Sequence, residues 1–395
     1  FSFGDEGPIE HRLQKVLDQG LKKYDARGVS AAIVFPDHEV WIGTSGISHE
    51  TVSIEPGMLF GIGSITKNVV AALTLQLVEE GVLSLDDPLS KWLPSYPHVD
   101  SAITLRQLLN HTSGIYMFWS NQKIWDDLKE DRSKIWTPEE ILTYIKEPYF
   151  PPGEGWRYSN TNYLLLAMII EKATDSKLST EFKQRFWQPL GITNAYLSIQ
   201  EDIPENRAHV FGDNFNKDGS WQDLTFLPRA SHDSIIFGSA GLFMTAEELA
   251  KWCHSLFEGK VLKQQSMDQM LQFVDIGFGP KKRGYGLGVQ LFLRRMGSGE
   301  TAVGHSGGEI GASAFMVHLP EHHVSVVVMI NSFNGRCSEA IARGLITTVL
   351  KDLRVLGMIP FIDPFFVWGG LISATIFLIV NIGIRRRKRT AEKVN

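Results

Sequence analysis

Cysteine is scarce in this 395-residue sequence, with only Cys253 and Cys337 present. Two thiols cannot build a disulfide framework, and no Cys/His spacing resembles a zinc site. The twelve histidines are scattered, and adjacent His322 and His323 would point to opposite faces of a strand. Excess positive charge is lacking too. With 39 Lys and Arg against 44 Asp and Glu, the formal net charge is −5, so there is no basic face of the kind nucleic acid requires. Internal repeats and low-complexity tracts are absent. A chain 43% hydrophobic and 21% charged is neither disordered nor fibrous. Its length suits two or three domains, or one large α/β unit with an insertion.

The charge is unevenly spread. Residues 385–395 hold six Lys or Arg and one Glu, a formal +5 that leaves −10 on the preceding 384 residues. Before this tail, Pro364 to Ile384 contains no charged residue. A helix needs roughly 20 apolar residues to cross the hydrocarbon core. The sequence therefore predicts a single transmembrane helix at 364–384, with Trp368 at the interface and Arg385-Arg386-Arg387-Lys388-Arg389 opening a cytoplasmic tail, 385–395. The acidic body then lies outside the cytoplasm, in a periplasmic, extracellular or lumenal space. Phe1 in place of methionine is consistent with a removed signal peptide. The alternative is a tail-anchored protein with a cytosolic body.

Helical spacing of Ile9, Leu13, Val16, Leu17, Leu21 and Tyr24 predicts an amphipathic helix over 8–25. Residues 29–35 and 39–46 read as a hairpin around Pro36-Asp37-His38. A helix follows Ser64 and stops at Gly81. Thr137-Pro138-Glu139-Glu140 opens another, to about Lys146, and further helices are expected at 161–173, after Thr245 and at 338–353. Strands are expected at 285–293, 301–306, 312–319 and 323–331. This order predicts an α+β fold whose antiparallel sheet is built from both chain ends and flanked by helices. The sheet subdomain takes 1–75 and 235–355, and a mostly helical insertion takes 76–234.

Three motifs carry chemistry. In Gly61-Ile62-Gly63-Ser64-Ile65-Thr66-Lys67, a helix starting at Ser64 puts Lys67 one turn on, on the same face. A serine hydroxyl needs a base to take its proton, and lysine serves only if its pKa falls. Tyr158-Ser159-Asn160 follows the rigid Pro151-Pro152-Gly153 loop. Tyr158 would exchange protons with the serine and the leaving group, its pKa lowered by a nearby lysine ammonium, and Asn160 would hold a substrate amide. Gly304-His305-Ser306-Gly307-Gly308 ends a predicted strand, where glycines admit a substrate backbone and a strand N–H can face an oxyanion.

In this order the motifs resemble the signatures of the penicillin-recognising serine hydrolases: Ser-x-x-Lys (Ser64, Lys67), Tyr-x-Asn (Tyr158, Asn160) and Lys/His-Thr/Ser-Gly (His305, Ser306, Gly307). That superfamily holds class C β-lactamases, D-Ala-D-Ala carboxypeptidases, D-aminopeptidases and β-lactamase-like esterases. Leu108 to Gly114, Gly238 to Leu242 and Tyr285 to Gly288 are family-like as well, and the likeness runs over roughly residues 8–353. It implies a β-lactamase/DD-peptidase-like fold, with Ser64 as acylated nucleophile, Lys67 as its activating partner and Tyr158 as general acid/base. Backbone N–H groups of Ser64 and Gly308 would form the oxyanion hole. Neither metal nor organic cofactor is implied.

One position departs from the pattern. Many β-lactamases and carboxypeptidases carry lysine where this chain has His305, and a histidine is mostly neutral at pH 7. The His-x-Gly form resembles the esterase and aminopeptidase branches. Lys281-Lys282-Arg283 would sit at the active-site rim, either drawing in an acidic substrate or simply solvated. The sequence therefore reads as a membrane-anchored serine hydrolase acting through an acyl-enzyme on a peptide or amide, D-amino-acid-containing ones included, or on an ester. A β-lactamase or low-activity penicillin-binding protein, and a non-turnover acylated receptor, are the alternatives. The expected partners are a small-molecule or peptide substrate and the membrane, with no nucleic acid. Nothing in the sequence sets the oligomeric state.

Overall fold

The computed structural model describes residues 7–213, 221–276, 284–292 and 300–355. The apolar run 364–384, the tail 385–395 and Lys281-Lys282-Arg283 lie outside the described residues. Among the described residues no helix is long and apolar enough to cross a membrane. The chain divides into two compact units, 1–348 and 349–395. Of the second, only 349–355, the end of a helix, is described.

The first unit is built on a nine-stranded antiparallel sheet. Its strands are β1 (Gly28–Val34), β2 (Val40–His49), β3 (Val52–Ser53), β4 (Val274–Asp275), β5 (Gly284–Tyr285), β6 (Gln290–Phe292), β7 (Ala302–Glu309), β8 (Ala312–Leu319) and β9 (Val324–Ile330). They lie in the order β3-β2-β1-β9-β8-β7-β6-β5-β4. The two chain ends meet at its centre, where β1 pairs with β9 from Val29 opposite Ile330 to Val34 opposite Ser325. Every residue of β1, β8 and β9 is buried, so both sheet faces are covered.

The helices that matter are α1 (Ile9–Tyr24), α2 (Thr66–Glu79), α3 (Asn160–Thr174), α4 (Ala246–Phe257) and α5 (Gly335–Val355). Helix α4 packs across β1, β9 and β8. Its Leu249, Ala250 and Cys253 join one apolar cluster with Ala32, Val34, Met316, Val327 and Met329. Helix α1 lies on β2 and β1 and meets α5 at two glycines. A Cβ on Gly20 would fall 2.3 Å from Ile341, and one on Gly344 would fall 2.7 Å from Val16. Helices α2 and α3 pack together and are buried over most of their length, hence the apolar runs Val69 to Leu73 and Leu164 to Ile170 within them.

The element expectations hold with three local corrections. The helix opened by Thr137 forms its reciprocal capping box with Glu140 but spans only Pro138–Leu142, short of Lys146. The strand expected over 285–293 is two short strands, because Gly286 to Val289 turns and Gly288 sits at φ +69°, a left-handed value that favours glycine. His322 lies in the β8–β9 turn that Pro320-Glu321-His322 suggests, and His323 lies there too, so β9 starts one residue later than expected.

Candidate active site

Ser64 sits in a single 3₁₀ turn, Gly63–Ile65, that runs straight into α2. Lys67 therefore follows one turn later, and its Nζ lies 3.1 Å from Ser64 Oγ. The same nitrogen donates to the Ser239 carbonyl at 2.6 Å. Lys67 is fully buried, and the lost hydration of its ammonium pushes its pKa well below the usual lysine value. A neutral amine can donate one N–H to Ser239 while its lone pair faces the Ser64 hydroxyl. The condition that lysine chemistry demands is thus met by burial.

The turn is pressed against β7 at a seam that only glycine permits. A Cβ on Gly307 would lie 1.9 Å from the Ile62 carbonyl oxygen, and one on Gly63 would lie 2.5 Å from the Gly308 nitrogen. Gly63 also holds φ +52°. Beyond the seam, the buried Glu309 carboxylate accepts from Arg229 Nη2 at 2.9 Å, and the same nitrogen donates to Asp233 at 3.1 Å. Burial raises the Asp233 pKa, but the Arg229 charge outweighs it and holds the carboxyl at about 2. This ionic latch ties the end of β7 to the segment carrying Arg229.

Tyr158 reaches the site from the loop before α3, with its ring 4.9 Å from Lys67 Nζ. The expectation of a lowered tyrosine pKa is corrected here. Burial pushes the Tyr158 phenol up, and Ser64 is the neighbour that opposes the rise. The lysine that was to supply a positive charge is itself driven toward neutrality by the same burial. Tyr158 Oη is buried without a full hydrogen bond. Asn160 opens α3, its N–H contacting Met117 Sδ at 3.0 Å and its buried Oδ1 lacking a protein partner.

His305 is buried in β7. Its Nδ1 lies 2.6 Å from the Ser306 carbonyl, an acceptor only, so Nδ1 carries the proton. Nε2 then accepts from the Tyr285 hydroxyl at 2.9 Å. Burial, helped by the nearby Lys67 charge, pulls the His305 pKa down to about 3. The ring is neutral at working pH and offers no cation to a substrate carboxylate. Ser306 turns to Gln290, with N–H and Oγ each 3.2 Å from its side-chain oxygen.

The structure adds residues that motif reading did not single out. His111 is buried with its ring centroid 4.3 Å from that of Tyr158 and 4.7 Å from that of Tyr285. Its Nδ1 accepts from the Ser159 N–H and the Asn162 amide, at 3.3 and 3.1 Å. Phe333, 69% exposed, has its ring edge where a Gly308 Cβ would be, 2.7 Å away. Ser239, His111 and Tyr285 all fall in the family-like stretches, the one sequence signal that pointed to them. Phe333 had none.

Fold and site together carry the parts of a serine hydrolase: a serine on a helix-opening turn, a buried lysine of lowered pKa beside it, and a glycine-lined strand across from both. The Beta-lactamase family model matches residues 13–349, and the chain belongs to that family. Penicillin-binding protein 4* of Bacillus subtilis (strain 168) is 27% identical over 292 residues, 70% of this chain and 62% of that protein. The chain thus spans about three fifths of that relative. Esterase EstB of Burkholderia gladioli is 24% identical over 72% of this chain and 79% of its own. The crystal structure of D-amino acid amidase from Ochrobactrum anthropi SV3 complexed with D-phenylalanine superposes with a TM-score of 0.76 at 25% identity, covering 87% of this chain and 99% of that one.

Proposed function

We propose that this chain hydrolyses amide or ester bonds through an acyl-enzyme on Ser64. The carrying observation is the buried Lys67 nitrogen, 3.1 Å from Ser64 Oγ with its pKa driven down. Lys67 takes the Ser64 proton as Oγ bonds to the substrate carbonyl carbon. The negative charge that develops on the carbonyl oxygen falls to the Ser64 and Gly308 N–H groups. Tyr158, neutral because buried, hands a proton to the leaving amine or alkoxide and regains one from Lys67. Water then attacks the ester carbonyl, and Ser64 recovers its proton.

Substrate class follows from His305 and its surroundings. A buried, neutral imidazole does not suit the carboxylate of a β-lactam or a D-Ala-D-Ala terminus. Amides and peptides, D-amino-acid ones included, and esters fit better, in keeping with the amidase and esterase relatives. Asn160 Oδ1 is placed to accept a substrate amide N–H, and Phe333 offers an apolar surface beside Gly308. We also infer that residues 364–384 anchor the catalytic body to a membrane, with the body extracytoplasmic and 385–395 cytoplasmic. The uncharged run and its basic flank support that reading.

Wild type and Ser64→Ala treated with a fluorophosphonate and a fluorescent penicillin test the chemistry. The wild type should label with the fluorophosphonate and release any penicilloyl group rapidly, and Ser64→Ala should lose both labels. Equal labelling of Ser64→Ala would remove Ser64 as nucleophile, and a long-lived acyl adduct would favour a receptor. Protease added outside intact cells should remove the body; full protection would overturn the topology.

A further inference from the structure

Histidines that are dispersed in sequence converge at one end of the sheet. The last turn of α4 and the residue after it bring His254 and Glu258, four apart and on one helix face. Strand β8 brings His318, the β8–β9 turn brings His323, and the β1–β2 turn brings His38. One ligating atom from each of His254, Glu258 and His318 lies within 4.8 Å of the other two. His318 Nε2 is 3.2 Å from a Glu258 oxygen, and His323 Nδ1 is 2.8 Å from the same oxygen. Neighbouring ligands on a tetrahedral zinc ion are about 3.3 Å apart, given metal–ligand bonds near 2.0–2.1 Å. The outer contacts are of the kind that orient metal-bound imidazole. His318 Nδ1 is 2.9 Å from Ser325 Oγ, and His254 Nε2 is 2.9 Å from His38 Nδ1.

We propose that His254, His318 and Glu258, completed by His323, bind a divalent transition-metal ion of the zinc type. The donor set is imidazole and carboxylate without thiolate, which suits zinc rather than copper(I) or iron–sulfur chemistry. His254 and His318 are buried while His323 is 62% exposed, so an ion enters from solvent past His323.

The site is separate from Ser64. On β8, His318 pairs with Val303 and Ser313 pairs with Gly308. Five residues of strand put about 17 Å between His318 and the oxyanion end of the sheet. The ion therefore ties the end of α4 to β8 and the β8–β9 turn, and takes no part in acyl transfer.

The untagged, chelator-stripped full chain should be titrated with zinc chloride. Bound metal is followed by equilibrium dialysis, and the melting temperature is read alongside. One zinc per chain and a raised melting temperature are expected. Glu258→Gln and His254→Gln should each weaken binding by about tenfold or more, and His98→Ala should leave it unchanged. Because His323 is exposed, His323→Ala keeps the fold even if the buried variants do not, and it too must weaken binding. No saturable binding at one equivalent, or wild-type affinity in folded Glu258→Gln or in His323→Ala, would overturn the site. Hydrolysis by the wild type should be the same with and without zinc; dependence on zinc would contradict the stabilising role.

Discussion

Ser239 gives Lys67 its carbonyl oxygen at 2.6 Å, across 172 positions of sequence. That contact aims the amine so that its remaining valence faces Ser64. With one N–H held by that carbonyl, the tetrahedral amine can turn its lone pair toward the Ser64 hydroxyl, 3.1 Å away. Burial then lowers the pKa of the amine and so favours its neutral form.

The rate should therefore follow Lys67 deprotonation. As pH rises through the depressed lysine pKa the base becomes available, so kcat/KM climbs and levels off well below 10.5. His305, neutral above about 3, adds no limb in the working range. A rate still climbing at the ordinary lysine pKa would remove Lys67 as the base. Lys67→Arg should lose about 10²–10⁴-fold in kcat, because a guanidinium does not give up its proton.

Gly63→Ala should lower kcat by about 10²–10³-fold with a smaller change in KM. Its Cβ would push against the Gly308 nitrogen, displacing an oxyanion donor rather than a binding contact. Steady-state kinetics on a model ester decide this. A pure KM effect would mean that Gly308 serves binding alone.

Tyr158→Phe should separate chemistry from stability. Removing a buried hydroxyl that lacks a full hydrogen bond should leave stability unchanged within about 0.5 kcal/mol. Loss of the proton donor should cost about 10²–10⁴-fold in kcat. Paired urea melts and turnover assays test both halves, and an active variant would assign the proton step elsewhere.

Arg229→Ala should destabilise the fold by about 3–5 kcal/mol in urea unfolding, since Asp233 and Glu309 would be left buried without their counter-ion. The latch also predicts an acid sensitivity. Asp233 has its folded pKa depressed from 3.8 to about 2, so its contribution is present above 3.8 and is lost as pH falls toward 2. The Arg229→Ala variant should show a smaller loss, since His232, 2.9 Å from Asp233, also holds the carboxyl down.

Chemistry carried by short spacing was legible in the sequence. Ser64 and Lys67 lie one turn apart and Tyr158 comes from the loop leading into α3; each motif was weak alone, and their order and likeness to the family signatures singled them out. Ser239 escaped because it acts through a backbone carbonyl, which leaves no side-chain signature. The direction of the Tyr158 shift was misread because burial, invisible in a single sequence, opposes the charges of both tyrosine and lysine. The histidines looked scattered for a similar reason. Only the β1–β9 and β8–β9 pairings and the placement of α4 bring positions 38, 254, 318 and 323 together.

The glycine seam has a consequence for biogenesis. Ser64 and Lys67 emerge early in synthesis, but the strand pressed against them at Gly307 and Gly308 comes more than 240 residues later. That strand pairs with β8, which pairs with β9, and β9 lies against β1. On the proposed mechanism, a chain in which that strand is not in place has a nucleophile with nowhere to put the charge of its reaction. Labelling by an acylating agent would then report that the chain has finished folding.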